Sequence, residues 1–186
     1  MALLIAGVLL WSGAHLFKRL APGTRAQLGE PGKGLVTLAL VVAVVMMVFG
    51  YRWADGTFHW GPHPATVGIN NLLMLAAFYL FAVSGPKGAK PWVGTKLRHP
   101  QLTAFILWAV AHLLVNGDTR SFVLFGGLLA WAVTEIVVID RATGSWTPPP
   151  RAPMAKEVST AVIAVVALVV VMLIHNWLGV RPWGGG

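Results

Sequence analysis

The stretch ATVGINNLLMLAAFYLFAVS, residues 65–84, decides the fold of this chain, because none of its residues is charged. A helix that crosses a membrane needs about 20 mostly apolar residues. The whole chain of 186 residues has the same character, with 56% hydrophobic and 11% charged residues. A soluble domain carries about 25% charged residues. The composition therefore excludes a soluble globular enzyme, a disordered tail and a collagen-like fibre, and it indicates a polytopic membrane protein.

Five further apolar segments surround this one, and together they predict an all-α, polytopic transmembrane helical bundle of six spans. In chain order the segments are Ala2–Phe17, Leu35–Trp53, Ala65–Ser84, Pro100 to Asn116, Ser121–Ile139 and Val158–Leu178. The first lacks a basic n-region and a small-x-small cleavage site before Lys18, so we interpret it as a span rather than a signal peptide. The prediction is one transmembrane domain over residues 1–186.

The basic residues are distributed unequally among the loops between the segments. Eleven of the 14 lysines and arginines follow segments one, three and five, and the other three are Arg52, Arg120 and Arg181. Positively charged loops stay in the cytoplasm, so both termini are predicted outside, in a multi-pass protein of the cell inner membrane. The net charge of +8 then reflects topology and contact with anionic membrane lipid rather than nucleic acid.

Ionisable side chains inside a membrane are costly and are functional candidates by default. We expect two polar levels: an inner level of His15, His99 and Glu135, and an outer level of Asn71, His112, Asn116, Asp118, His175 and His63. Cysteine is absent, which excludes disulfides, thiolate-ligated haem and iron–sulfur clusters. Several histidines without cysteine favour haem b with histidine axial ligands, since a zinc site needs three or four clustered ligands.

Two of these histidines lie in segment four or directly before it. Trp108, His112 and Asn116 are spaced by four residues and share a helix face. His99 lies about 20 Å from His112 along a helix, so the two cannot bind one metal. With Arg98 and Pro100, His99 is typical of an anion site at a helix N-terminus. Each candidate also has a structural alternative: a basic helix start for His99, an interfacial histidine for His15, and an ion pair with Arg98 or Lys96 for Glu135.

Several motifs in order carry a family resemblance. They are Ser12-Gly13-Ala14-His15, Gly34-Leu35, Leu97-Arg98-His99-Pro100, the stretch WAVAHLLVNGD (residues 108–118) and the stretch LFGGLLAW (residues 124–131). Together they resemble the NnrU family of bacterial inner-membrane proteins over nearly the whole chain. The family name reflects genetic association with nitrite and nitric oxide reduction, which implies a denitrification-associated factor without implying a direct activity.

A plant relative of that family is the 15-cis-ζ-carotene isomerase, a haem b membrane enzyme that turns a cis double bond to trans. The resemblance implies haem b held by His15 and His112, with His99 as the alternative ligand, and an apolar substrate such as a polyene. One relative uses a cysteine three residues before the second histidine, where this chain has Ala109. The predicted cofactor contacts are Arg98, His99, Trp108, Asn116, Asn71 and Glu135.

Two other functions stay open. Arg98-His99-Pro100 also resembles the motif of membrane methyltransferases of the isoprenylcysteine carboxyl type, in which it helps bind S-adenosylmethionine. The tyrosine usual two residues after that proline is missing here, where Gln101-Leu102 follow. A non-enzymatic assembly factor for denitrification is the third hypothesis.

Overall fold

The computed structural model of the protein describes residues 1–85 and 87–183. Its helices are α1 (Ala2–Leu20), α2 (Pro22–Gln27), α3 (Pro31–Trp53), α4 (Pro64–Ser84), α5 (Pro100–Val115), α6 (Thr119–Ser121), α7 (Gly127–Thr143) and α8 (Met154–Trp177). A 3₁₀ turn covers Trp92–Thr95, and a π-helical segment, Phe122–Gly126, joins α6 to α7. Two short strands, β1 (Phe58–Trp60) and β2 (Gly117–Asp118), form a two-stranded sheet.

Each of the six predicted segments is helical. Among the described residues, five helices are long and apolar enough to cross a membrane: Ala2–Leu20, Pro31–Trp53, Pro64–Ser84, Thr119–Thr143 and Met154–Trp177. Helix α5 has only 16 residues and is about 24 Å long, shorter than the roughly 30 Å hydrocarbon core of a bilayer. The fold is therefore that of a helical membrane protein, and the sixth span and the orientation of the termini stay predictions.

Apolar side chains on the long helices are exposed to an unusual degree for a water-soluble fold. Val41, Val45 and Val48 of α3 are exposed, as are Val162 and Val166 of α8. Large exposed apolar surfaces mark contact with a membrane or a partner. On helices of this length and hydropathy, they are surfaces for lipid.

The helix starts follow from local sequence. At the start of α4, the His63 ring accepts a hydrogen bond from Ala65 N, and the Thr66 hydroxyl accepts one from His63 N. Pro64 and Pro100 occupy the first positions of α4 and α5, where the N–H that proline lacks would have no helical partner. His63 is thus a helix cap in the second half of the loop before α4.

The chain forms two compact units, each built from two stretches of sequence. The first unit comprises Met1–His59 and Gly117–Gly144, and the second comprises Trp60–Asn116 with the described residues from Ser145 onward. In the first unit, α1 packs against α3 and α7; in the second, α4 packs against α5 and α8. The interpretation of residues 1–186 as one domain stays a prediction.

The helices of the first unit approach closely where glycines face them. A Cβ atom at Gly50 of α3 would lie 2.5 Å from Leu4 N, and one at Gly7 of α1 would lie 2.9 Å from Met47 N. A Cβ atom at Gly127 would lie 2.7 Å from Val8 Cγ1. Small residues let membrane helices approach to backbone contact, and these glycines set the distance between α1 and its two neighbours.

Candidate functional site

Three histidines within the apolar helices α1, α5 and α8 share one local arrangement. The Nδ1 atom of His112 lies 2.8 Å from Trp108 O, that of His15 lies 3.0 Å from Trp11 O, and that of His175 lies 2.8 Å from Val171 O. A carbonyl oxygen only accepts hydrogen bonds, so Nδ1 carries the proton of each neutral ring and Nε2 carries the lone pair. Metal-binding histidines are oriented in this way by their outer hydrogen bond.

The end of α5 has the predicted shared face. The Trp108 and His112 rings lie with centroids 5.0 Å apart. Asn116 ends the helix, and its side-chain amide donates to His112 O at 2.9 Å. The three residues therefore share one face of α5, as their spacing of four predicts.

The start of α4 brings a second polar group into the same unit. The Asn71 amide donates to Pro182 O at 2.9 Å, and the Asn70 amide donates to Asn71 Oδ1 at 3.0 Å. Asn70 Oδ1 is buried and has no hydrogen-bond partner among the described residues. A buried acceptor without a partner is uncommon in a native fold, which makes this end of α4 a candidate for binding a hydrogen-bond donor.

His175 and His112 both lie in the second unit. The second unit thus contains five of the six members of the predicted outer level, all except Asp118. They are His63, Asn71, His112, Asn116 and His175.

Arg98 and His99 lie at the opposite end of α5. His99 precedes the helix, and His99 O accepts hydrogen bonds from Thr103 N and from the Thr103 hydroxyl, both at 2.9 Å. The predicted helix start is confirmed. The 16-residue helix keeps His99 about 20 Å from His112, and a role for Arg98 in binding an anion stays a prediction.

His15 lies in the first unit, between two tryptophans. Its ring centroid is 4.4 Å from that of Trp11 and 4.7 Å from that of Trp131, and the two indoles meet edge to face at 5.4 Å. Trp131 is 4% exposed. His15 and Glu135 are the predicted site residues of the first unit, so the pairing of His15 with His112 stays a prediction.

Glu135 lies one helical turn beyond Trp131 on α7 and is 8% exposed. Its Oε2 atom is buried and has no hydrogen-bond partner within residues 1–85 and 87–183. Its contact with a cofactor stays a prediction. Burial of a carboxyl oxygen without a hydrogen-bond donor costs free energy, so Glu135 stays a functional candidate.

Asp118 has a structural role in the first unit. Its side chain accepts a hydrogen bond from Ser121 N at 2.8 Å and so caps α6. The carboxylate also lies 3.5 Å from Arg120 Nε. Ser121 in turn shares a hydrogen bond of 2.8 Å with the Tyr51 hydroxyl. Asp118 is therefore accounted for as a helix cap.

Sequence reasoning missed a polar cluster around Glu157, at the start of α8. Glu157 Oε1 accepts from Trp92 N at 2.6 Å, and Oε2 accepts from the Tyr79 hydroxyl at 3.3 Å. Arg151 Nε lies 3.8 Å from Oε1. The signal in the sequence was an acidic residue that follows a basic loop and lies in the first turn of a helix. The helix dipole favours negative charge at that position.

Two lysines of the same region bind backbone carbonyls. Lys90 Nζ donates to Ser84 O at 2.9 Å and to Val83 O at 3.2 Å, and Lys156 Nζ donates to Ala89 O at 2.6 Å. Burial lowers the pKa of Lys90, and the neighbouring charge of Lys156 lowers it further. Lys90 therefore caps the C-terminal end of α4, and Lys156 links the start of α8 to the loop that follows α4.

No group of three or more His, Asp or Glu side chains in the described part of the chain could hold a metal ion. A metal ion bound by these residues would therefore have at most two ligands from His, Asp or Glu side chains. Haem needs no more than two axial ligands, because the macrocycle supplies the others.

The fold defines a class: a helical membrane protein that carries histidines and amides on its apolar helices. The family model described as NnrU protein matches residues 3–182, so the chain belongs to the NnrU family. No curated protein and no solved structure matches the chain.

Proposed function

We propose that this NnrU-family protein is an integral membrane protein that binds haem b, with His112 as an axial ligand. The observation that carries the proposal is the hydrogen bond from His112 Nδ1 to Trp108 O. It leaves the lone pair on Nε2, the atom that would bind iron, and it holds the ring in one orientation. The residues present therefore fit a haem ligated by histidine.

A row of aromatic rings in the second unit supports an apolar ligand beside His112. Phe81 and Phe105 lie with centroids 5.3 Å apart, Phe105 and Trp108 are 6.0 Å apart, and Trp108 and His112 are 5.0 Å apart. Successive rings meet edge to face or at a tilt, and the row would offer an apolar, aromatic wall to a conjugated chain or a macrocycle. Because this row lies beside His112, we would test an apolar substrate such as a polyene.

The reaction we propose for such a substrate is redox-dependent cis–trans isomerisation. Bound haem would supply a redox-active iron that can interact with a polyene. The chain's part is to hold the His112 ring through Trp108 O and to keep water away with Phe105 and Trp108. A protein that binds haem but leaves a cis-polyene unchanged would instead fit a denitrification-associated factor.

The proposed topology has six spans, with α5 as the shortest, and both termini outside the inner membrane. The three basic loops then face the cytoplasm. A periplasmic reporter fused after Trp183 is expected to be active, and the same reporter placed after Lys90 is expected to be inactive. Activity in the reverse order would show that the orientation is wrong.

The test of the proposed function is the visible spectrum of purified protein produced with ample haem. His112→Ala is expected to lower haem content at least tenfold or to shift the Soret band strongly. The control is His59→Ala, since His59 is an exposed residue that stacks on Phe122 at 5.4 Å; this variant should keep the wild-type spectrum. A full haem complement in His112→Ala would show that His112 is not the ligand. Wild-type protein without haem would defeat the proposal, and binding of S-adenosylmethionine would then be measured.

A further inference from the structure

We propose that Glu135 binds an ammonium group, carried by a phospholipid headgroup or by a soluble amine, at the contact between α1 and α7. This site lies in the first unit, whereas His112 lies in the second, so the proposal goes beyond the haem function and does not depend on it. It assigns a ligand class to a buried acidic side chain that the proposed isomerisation does not use.

Glu135 is a buried acceptor on an apolar helix. The residue is 8% exposed, and its Oε2 atom has no hydrogen-bond partner within residues 1–85 and 87–183. The helix that contains it, Thr119–Thr143, is long and apolar enough to cross a membrane. A buried carboxylate costs free energy unless it is paired and hydrogen-bonded. Glu135 therefore requires a partner that brings both positive charge and a hydrogen-bond donor.

The register of α1 against α7 determines which residues lie level with this carboxyl group. A Cβ atom at Gly127 would lie 2.7 Å from Val8 Cγ1. About one turn further along both helices, the ring centroids of Trp11 and Trp131 are 5.4 Å apart. The two helices therefore run parallel, and the following turn of α7 lies level with residues 15–19 of α1.

Two basic side chains of α1 lie near that level but leave the carboxyl oxygen without a donor. Lys18 and Arg19 belong to the last turn of α1, and neither donates to Glu135 Oε2. A ligand therefore supplies the missing donor. A phospholipid with an ammonium group also carries a phosphate, for which lysines and arginines at the membrane surface are the usual partners. Glu135 lies about 12 Å before the end of α7, so it is nearer to one membrane surface than to the middle of the span.

The surroundings favour an ammonium group over a metal ion. Calcium takes about six to eight oxygen ligands, and no group of three or more His, Asp or Glu side chains in the described part of the chain could hold a metal ion. The neighbour of Glu135 one turn earlier on the same helix face is Trp131, which is 4% exposed. Aromatic rings attract ammonium groups through their π electrons, and an ammonium N–H donates to a carboxylate.

The experiment measures lipid binding to the delipidated, full-length protein by native mass spectrometry. Phosphatidylethanolamine, which has N–H donors, is expected to bind about tenfold more tightly than its trimethylated counterpart phosphatidylcholine, because only the former makes a charge-assisted hydrogen bond. Glu135→Gln removes the charge at nearly constant volume and is expected to abolish this preference. The matched control is Glu30→Gln, at an acidic residue that is 83% exposed, and it should keep the preference.

Calorimetric titration with benzylamine and benzyltrimethylammonium distinguishes the two sources of the ammonium group. Saturable binding of benzylamine that is lost in Glu135→Gln would identify a soluble amine as an occupant. Binding of phosphatidylethanolamine without binding of benzylamine would identify the lipid.

Two results would overturn the proposal. The first is wild-type protein that prefers neither phosphatidylethanolamine over phosphatidylcholine nor benzylamine over benzyltrimethylammonium, a comparison that needs no variant to fold. The second is a Glu135→Gln protein that is folded by circular dichroism and keeps the wild-type preference, or a Glu30→Gln protein that loses it equally. The haem content of the protein is measured separately, so failure of one proposal leaves the other standing.

Discussion

Replacing Glu157 with alanine is expected to lower the free energy of unfolding by about 3–5 kcal/mol. The change removes two acceptors: Oε1, which binds Trp92 N at 2.6 Å, and Oε2, which binds the Tyr79 hydroxyl at 3.3 Å. Hydrogen bonds to a charged group contribute about 1.5–3 kcal/mol each, and donors left without a partner add a penalty. Unfolding in detergent micelles, followed by circular dichroism with added denaturant, measures the loss.

The matched control is Glu30→Ala. Glu30 pairs with Lys33 at 2.8 Å, but the two side chains are 83% and 68% exposed. An exposed pair of this kind contributes about 0–1 kcal/mol. Equal losses in the two variants would show that Glu157 does not hold the start of α8 to the 3₁₀ turn and α4. Glu157→Gln should lie between the two, because its amide oxygen still accepts from one donor.

Gly50→Ala is expected to destabilise the first unit by about 3 kcal/mol, the range of overpacking in a well-packed interface. The added Cβ would lie 2.5 Å from Leu4 N and 2.7 Å from Leu4 Cα. Both atoms belong to the backbone, so no side-chain rotation relieves the contact and α1 must move away from α3. The same denaturation assay applies, and protease sensitivity of the α1–α3 pair gives an independent readout.

Gly34→Ala on the same helix is the control. No atom lies within 4 Å of a Cβ at Gly34. Alanine favours the helix by up to about 1 kcal/mol over glycine, so this variant should be neutral or slightly more stable. If Gly50→Ala changes the free energy of unfolding no more than Gly34→Ala does, α1 and α3 do not approach as closely as described.

Local features of the sequence were enough to predict the six apolar helical segments. The uncharged run of residues 65–84 lies within α4, Pro64–Ser84, and Pro100 begins α5 as expected. Hydrophobic length, helix caps and the missing N–H of proline act over a few residues, so one stretch of chain determines them. The spacing of Trp108, His112 and Asn116 belongs to this group too, because helical periodicity alone places them on one face.

The sixth span depends on helix α5. The apolar run from Pro100 to Asn116 agrees within one residue with the helix Pro100–Val115. Hydropathy alone does not decide whether a helix of about 24 Å crosses a hydrocarbon core of roughly 30 Å, so the sixth span stays a prediction.

Tertiary structure alone decided which polar residues share a site. Glu157 meets Tyr79 across 78 positions and Trp92 across 65. His175 lies with His112 in one unit, and His15 lies in the other. The sequence by itself determined that these residues sit in or beside apolar helices, because that depends on neighbours in the chain. Their grouping depends on which helices pack together and how closely, and contacts such as Gly50 against Leu4 exist only after distant segments have met.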